Sequence, residues 1–255
     1  MNIKLDYNVA KGFKSEAQRM RVITETWVER NLFCPICGSM HLDHYVANKP
    51  VADFYCNACG HDFELKSKNQ LALGNIINDG AYETMIARLN EMKNPDFLFM
   101  THLEEYIKNI ILIPNYFFTP SIIIKRKPLA KTARRAGWIG CNINIGDIPQ
   151  NGKIFIVKDG IVADRNKIID DYARTKVLFT KDLTSRGWML DVLSCVDRIG
   201  SCEFTLHEVY RYEEELKYKH KTNNNIQAKI RQQLQILRDK GLIEFVSRGQ
   251  YRKLY

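Results

Sequence analysis

The chain reads as a mixed α/β protein in two parts: an α/β body holding an inserted four-cysteine metal clip, then a smaller helical module closed by a β-hairpin. Three observations predict this. Two CxxC pairs stand 18 residues apart near the N-terminal end, short alternating and apolar strands follow them, and helical spacing takes over after about residue 184. At 255 residues the chain is long enough to bury a core without disulfides. The expected division is a body over 1–183, with the clip at 34–59, and a module over 184–255.

The body opens with a helical pattern from Ser15 to Arg30. Cys34-Pro-Ile-Cys37 and Cys56-Asn-Ala-Cys59 then give C-x2-C-x18-C-x2-C, a spacing suited to a zinc ribbon in which each pair forms one knuckle. Gly38 and Gly60 follow the second cysteine of each pair, where a knuckle often needs a left-handed residue. A redox CxxC or chance clustering is the competing reading. Cys141, Cys195 and Cys202 lie in mostly apolar surroundings and read as core residues, and His41, His44 and His61 as bystanders to a four-thiolate site.

Val51–Tyr55 and Asp62–Lys66 read as two strands joined by the second knuckle. Glu64 and Lys66 are two apart and share a face, and Asp53 on the partner strand can meet them. Two carboxylates and an ammonium suit phosphodiester hydrolysis. Mg²⁺ prefers carboxylate oxygens, with the Leu65 carbonyl as a further ligand, and a lysine can orient the attacking water. Taken bare, the trio reads equally as solvated surface charge. A helix at about Gly80–Met92 and apolar strands at Phe97–Thr101 and Ile110–Ile113 follow. Helix, strands, helix, strand is the order of the PD-(D/E)xK nuclease core, here with Ala52-Asp53 in place of Pro-Asp.

Lys125 to Gly140 holds six basic residues and no acid, and Pro128 and Gly137 make it a loop. Arg134 and Arg135 suit phosphate contacts. Trp138, ahead of a strand at Ile139–Ile143, is either a core residue or an aromatic plate against a base.

After a break around Thr184–Gly187, Trp188–Ile199 reads as an amphipathic helix. Thr205-Leu-His-Glu208 is a capping box opening a second helix that runs to about Lys219. Asn223–Asn225 can cap a third, with Ile226, Ile230, Leu234 and Leu237 at helical spacing. Leu242–Phe245 and Tyr251–Leu254 form a hairpin around Arg248-Gly249. Three helices and a hairpin describe a winged helix. From Lys217 onward ten Lys and Arg face two acids, giving +8 of the chain's net +9. Asn224, Gln227, Arg231, Gln232, Gln235 and Arg248 are the side chains offered to base edges and phosphates, with protein contacts as the alternative use. The apolar runs are too short for a transmembrane span, the N-terminal stretch lacks the apolar core of a signal peptide, and the cysteine usage suits a reducing, cytoplasmic setting.

The stretches CPIC, CNAC, ADFYCNACGHDFELKSK, RKPLAKTARRAGWIGCNI and IRQQLQILRDKGLIEF together resemble the DpnI family of methyl-directed restriction endonucleases, over nearly the whole chain. The resemblance implies cleavage of double-stranded DNA at GATC when adenine carries an N6-methyl group, in a Mg²⁺-dependent reaction. Carried over by motif, Asp53, Glu64 and the Leu65 carbonyl would hold Mg²⁺ and Lys66 would assist the water. Cys34, Cys37, Cys56 and Cys59 would hold structural zinc, and Trp138 would lie near the methyl group. A monomer in solution is expected. A zinc-ribbon, winged-helix regulator that cuts nothing and an endonuclease for unmodified DNA are the alternatives.

Overall fold

The computed structural model describes residues 1–46, 52–92 and 94–255. Helices and strands run, in chain order, α1 (Glu16–Asn31), β1 (Asp43–His44), β2 (Phe54–Tyr55), β3 (Asp62–Asn69), β4 (Ile76–Ala81), α2 (Tyr82–Asn90), β5 (Asp96–Leu103), β6 (Tyr106–Ile113), β7 (Ile123–Lys125), β8 (Gly140–Asn144), β9 (Ile154–Lys158), β10 (Ile161–Val162) and α3 (Arg165–Thr175). The C-terminal part adds α4 (Leu183–Arg198), β11 (Glu203–Thr205), α5 (Leu206–Tyr210), α6 (Glu213–Lys219), α7 (Ile226–Asp239), β12 (Ile243–Ser247) and β13 (Gln250–Lys253). Among the described residues no helix is long and apolar enough to cross a membrane.

Packing divides the chain into two compact units that are each discontinuous in sequence. One comprises Met1–Asn75, Lys93–Asn115 and Gly152–Lys176; the other comprises Ile76–Met92, Tyr116–Asn151 and Val177–Tyr255. The first is built on a seven-stranded sheet in the order β1-β2-β3-β5-β6-β9-β10. Its pairs are antiparallel except β3 with β5. A parallel pair needs a crossover, and here that crossover carries β4 and α2, which belong to the other unit. The alternating residues Phe63 and Leu65 of β3, with Leu98 and Met100 of β5, face a core that includes Ile23, Trp27 and Val28 of α1. Those three α1 positions recur at helical spacing, which is why α1 forms and which face it buries.

The second unit holds a three-stranded antiparallel sheet, β4-β8-β7, on which α2 packs, and the C-terminal module. In that module α7 buries Ile226, Ile230, Leu234 and Leu237, as its periodicity predicts. The capping box forms: the Thr205 hydroxyl accepts from Glu208 N at 3.2 Å while the Glu208 carboxylate accepts from Thr205 N at 2.8 Å.

Several expectations need correction. The break expected at Thr184–Gly187 is helix: Asp182 accepts from Ser185 N at 2.6 Å and starts α4 there. α4 is buried on all sides from Arg186 to Val196, so it is the module's core helix and not an amphipathic one. The single helix expected from Thr205 to Lys219 is two, interrupted at Arg211 and Tyr212. The terminal hairpin gains a third strand, β11, paired to β13. Cys202 is exposed, whereas Cys141 and Cys195 are buried as expected. The strand expected at Val51–Tyr55 is only Phe54–Tyr55, Val51 lying outside the described residues.

Candidate active site

The two CxxC pairs fold alike. Gly38 N donates to the Cys34 carbonyl at 2.9 Å and Gly60 N to the Cys56 carbonyl at 2.8 Å. Both glycines have positive φ, +77° and +73°, so each knuckle closes through a residue that needs no Cβ. The four thiols converge, with every Sγ within 4.8 Å of the others. Cys34 to Cys59 is 3.7 Å and Cys37 to Cys56 is 3.6 Å. A tetrahedral ion with Zn–S bonds of about 2.3 Å sets its sulfurs roughly 3.8 Å apart, whereas a disulfide brings them to about 2.05 Å. The cluster therefore fits a tetrahedral cation and could hold zinc. Burial pushes the Cys34 and Cys59 thiols up. For Cys56 burial also opposes ionisation, but the Cys59 and Ala58 backbone donors outweigh it and bring the thiol down to about 7. No histidine joins the cluster; His44 instead meets Glu25 at 3.1 Å.

The second knuckle is the turn between β2 and β3. Phe54 pairs with Phe63 and Tyr55 with Asp62, Cys56 N donates to the His61 carbonyl at 2.9 Å, and Asp53 N to the Phe63 carbonyl at 2.9 Å. The register therefore sets Asp53 opposite Glu64, on the face away from Phe54 and Phe63. The Asp53 carboxylate accepts from Leu65 N at 2.8 Å. A residue's N–H and C=O leave a strand on the same side, so the Leu65 carbonyl points to the Asp53 side as well. Lys66 Nζ lies 2.6 Å from Glu64 Oε1, with the two side chains 27% and 13% exposed. The structure thus brings Asp53, Glu64, the Leu65 main chain and Lys66 together on one stretch of hairpin.

Two neighbours carry no spacing signal and escaped the sequence reading. Tyr45 N donates to the Asp53 carbonyl at 2.8 Å, its hydroxyl donates to Asp62 at 2.7 Å, and its ring stacks on Tyr55. Arg21 of α1 bonds Glu25 at 2.6 Å, which with the nearby Asp53 charge raises the guanidinium against the effect of burial.

The residues proposed for DNA lie in the second unit. Arg134 and Arg135 are exposed in the loop between β7 and β8, and Arg135 stacks over the half-buried Trp138 ring at 4.6 Å. That loop is closed by Leu129 N to the Trp138 carbonyl at 2.9 Å and Gly137 N to the Leu129 carbonyl at 3.0 Å. On α7, Gln227, Arg231, Gln232 and Gln235 are exposed, as are Asn224 before it and Arg248 at the hairpin turn. Gln227 and Arg231 are already engaged, with Glu213 and the Tyr210 hydroxyl, both at 2.7 Å.

A mixed α/β unit with a four-cysteine cluster, joined in sequence to a basic helix-turn-helix module, defines a protein built to act on DNA. The Dam-replacing family model, DpnI, matches residues 1–181, and the Dam-replacing helix-turn-helix domain model matches residues 184–253. The chain belongs to the Dam-replacing family. Membership makes its class that of the methyl-directed restriction endonucleases and its partner DNA, read in part by a winged helix.

Proposed function

We propose that this protein is a type II restriction endonuclease that hydrolyses both strands of duplex DNA at GATC carrying N6-methyladenine, with Mg²⁺ at a PD-(D/E)xK site and zinc in the ribbon. The observation that supports it most is the hairpin itself. One turn, the Cys56–Cys59 knuckle, fixes the register that sets Asp53 against Glu64, Leu65 and Lys66. Asp53, Glu64 and the Leu65 carbonyl would hold Mg²⁺, whose charge lowers the pKa of water and offsets charge developing on phosphorus. The chain's own groups do the rest. Leu65 N–H fixes the Asp53 carboxylate, and Glu64 keeps the Lys66 ammonium beside it, placed to orient the attacking water and to stabilise the pentavalent phosphate. Attack breaks the phosphorus–oxygen bond to the leaving strand end.

Residues 1–183 act in this reading as the nuclease part and 184–255 as the winged-helix part, on one monomeric chain. Arg134, Arg135 and Trp138 contact DNA from the first, and Asn224, Gln227, Arg231, Gln232, Gln235 and Arg248 from the second, helped by a tail holding +8 of the net charge.

The test is digestion of one plasmid prepared with and without adenine methylation, by wild type and Lys66→Ala, with Mg²⁺ present. Wild type is expected to cut the methylated plasmid only, and Lys66→Ala neither. Equal cutting of both plasmids removes methyl direction and favours an endonuclease for unmodified DNA. Binding without cutting by wild type favours a DNA-binding regulator.

A further inference from the structure

The exposed face of the β4-β8-β7 sheet is built around an absence. Along β8 the residues alternate: Cys141 and Ile143 are fully buried, while Gly140, Asn142 and Asn144 fall on the other side of the strand. Asn142 stands beside Asn78 of β4 and Ile124 of β7, both exposed. At Gly140 a Cβ would meet Cη2 and Cζ3 of Trp138 at 2.8 Å each, with Arg126 Cδ at 3.5 Å. The Trp138 ring therefore lies directly on the backbone of Gly140, on the asparagine side, with the Arg135 guanidinium over it. Gly140 has no positive φ, so its backbone would admit any residue. What the position demands is room for the ring.

The geometry points to Gly140 as a positioning residue for DNA binding. Its missing side chain lets Trp138 lie flat on this sheet, where the ring, Arg135 and the Asn78 and Asn142 amides form one continuous contact plate. The occupant is duplex DNA, because the loop that delivers the ring carries six cations and no acid, and the amides match base edges. An aromatic ring clamped between a strand and a guanidinium offers an apolar edge at a fixed height. A ring pushed off the strand by a methyl group would not. This inference rests on the proposed function for its ligand, and on the structure alone for the coupling of residues 138 and 140.

The test is a size-selective double-mutant cycle. Affinity for a short duplex containing N6-methylated GATC is measured with Ca²⁺ replacing Mg²⁺ to prevent cutting, in wild type, Gly140→Ala, Trp138→Phe and the double variant, with melting temperatures alongside. The colliding atoms belong to the benzo ring of indole, which phenylalanine lacks. Gly140→Ala in wild type is expected to weaken binding about ten-fold, the size of one lost aromatic contact. In the Trp138→Phe background the same change is expected to do nothing further, and the melting temperature to hold throughout. Equal losses from Gly140→Ala in both backgrounds, in affinity or in melting temperature, would place its effect elsewhere and overturn the positioning role. So would a Trp138→Phe loss with none from Gly140→Ala. Wild type that binds no duplex DNA overturns the functional reading and this inference together.

Discussion

The zinc-clip hairpin and the C-terminal module reach fixed geometry by opposite means. Around the hairpin, β2 is two residues long and the acids it presents stand opposite polar partners, so little apolar burial holds Asp53 in place. Four thiols drawn to within 4.8 Å of one another supply the constraint instead. In the module, α4 is buried on all sides and α7 contributes a full apolar stripe, so burial alone fixes the fold. Ligation gives local precision where charges must face solvent, and burial gives tolerance where they need not. A catalytic hairpin and a DNA-reading helix differ in just that need.

The largest effect should come from breaking the clip. Removing the metal with a strong chelator, or making Cys59→Ser, is expected to abolish cleavage with Mg²⁺ in excess, while the melting of α4 and α7, followed by hydrogen exchange, stays in place. Full cleavage by metal-free protein would show that the hairpin register does not depend on the thiols. Striking the other region should give a smaller and graded loss. Leu234→Ala empties a fully buried site on α7 and is expected to cost about 2–5 kcal/mol, read by denaturant unfolding. Cleavage per folded molecule at saturating DNA should change little, because Asp53, Glu64 and Lys66 do not depend on that site.

The same contrast explains what the sequence disclosed. Cys34, Cys37, Cys56 and Cys59 were legible because ligation fixes spacing, and Ile226, Ile230, Leu234 and Leu237 because a half-buried helix fixes period. α4 was misread at its start because burial on all sides erases the amphipathic pattern, and because Gly187 within a helix imitates a break. β4, β7 and β11 gave no signal: three to six residues with mixed exposure carry too little periodicity to stand out. The discontinuous units were hidden for another reason. Alternation shows which residues are covered and not which segment covers them, so the passage of β4 and α2 into the second unit could not be inferred from local pattern. Asp53, Glu64 and Lys66 were legible as a set only through the knuckle, which turns a separation of eleven residues into a cross-strand pair. Tyr45, attached to the Asp53 carbonyl from a two-residue strand, had no such marker.

The mildest test sharpens the comparison inside the first unit itself, where burial rather than ligation holds one acid. Asp96, at the start of β5, is 1% exposed, and burial raises its carboxyl to about 7 even though Asn115 N and the Tyr172 hydroxyl both donate to it, at 2.7 and 2.9 Å. Unlike Asp53, it cross-braces β5, the end of β6 and α3 from within the core. Its folded value lies above the ordinary 3.8, so the folded state holds the proton more tightly. The resulting stabilisation is complete below pH 3.8 and is lost as pH rises through about 7. Asp96→Asn replaces the neutral carboxyl by an isostere and should leave stability near that of wild type at about pH 5, where the carboxyl is still protonated. Between about pH 5 and 8 the wild type should fall relative to the variant, because only its carboxyl must ionise inside the core. Denaturant unfolding of both proteins across that range reads the difference. Parallel curves would mean that Asp96 titrates as an ordinary carboxylate and that burial does not govern it.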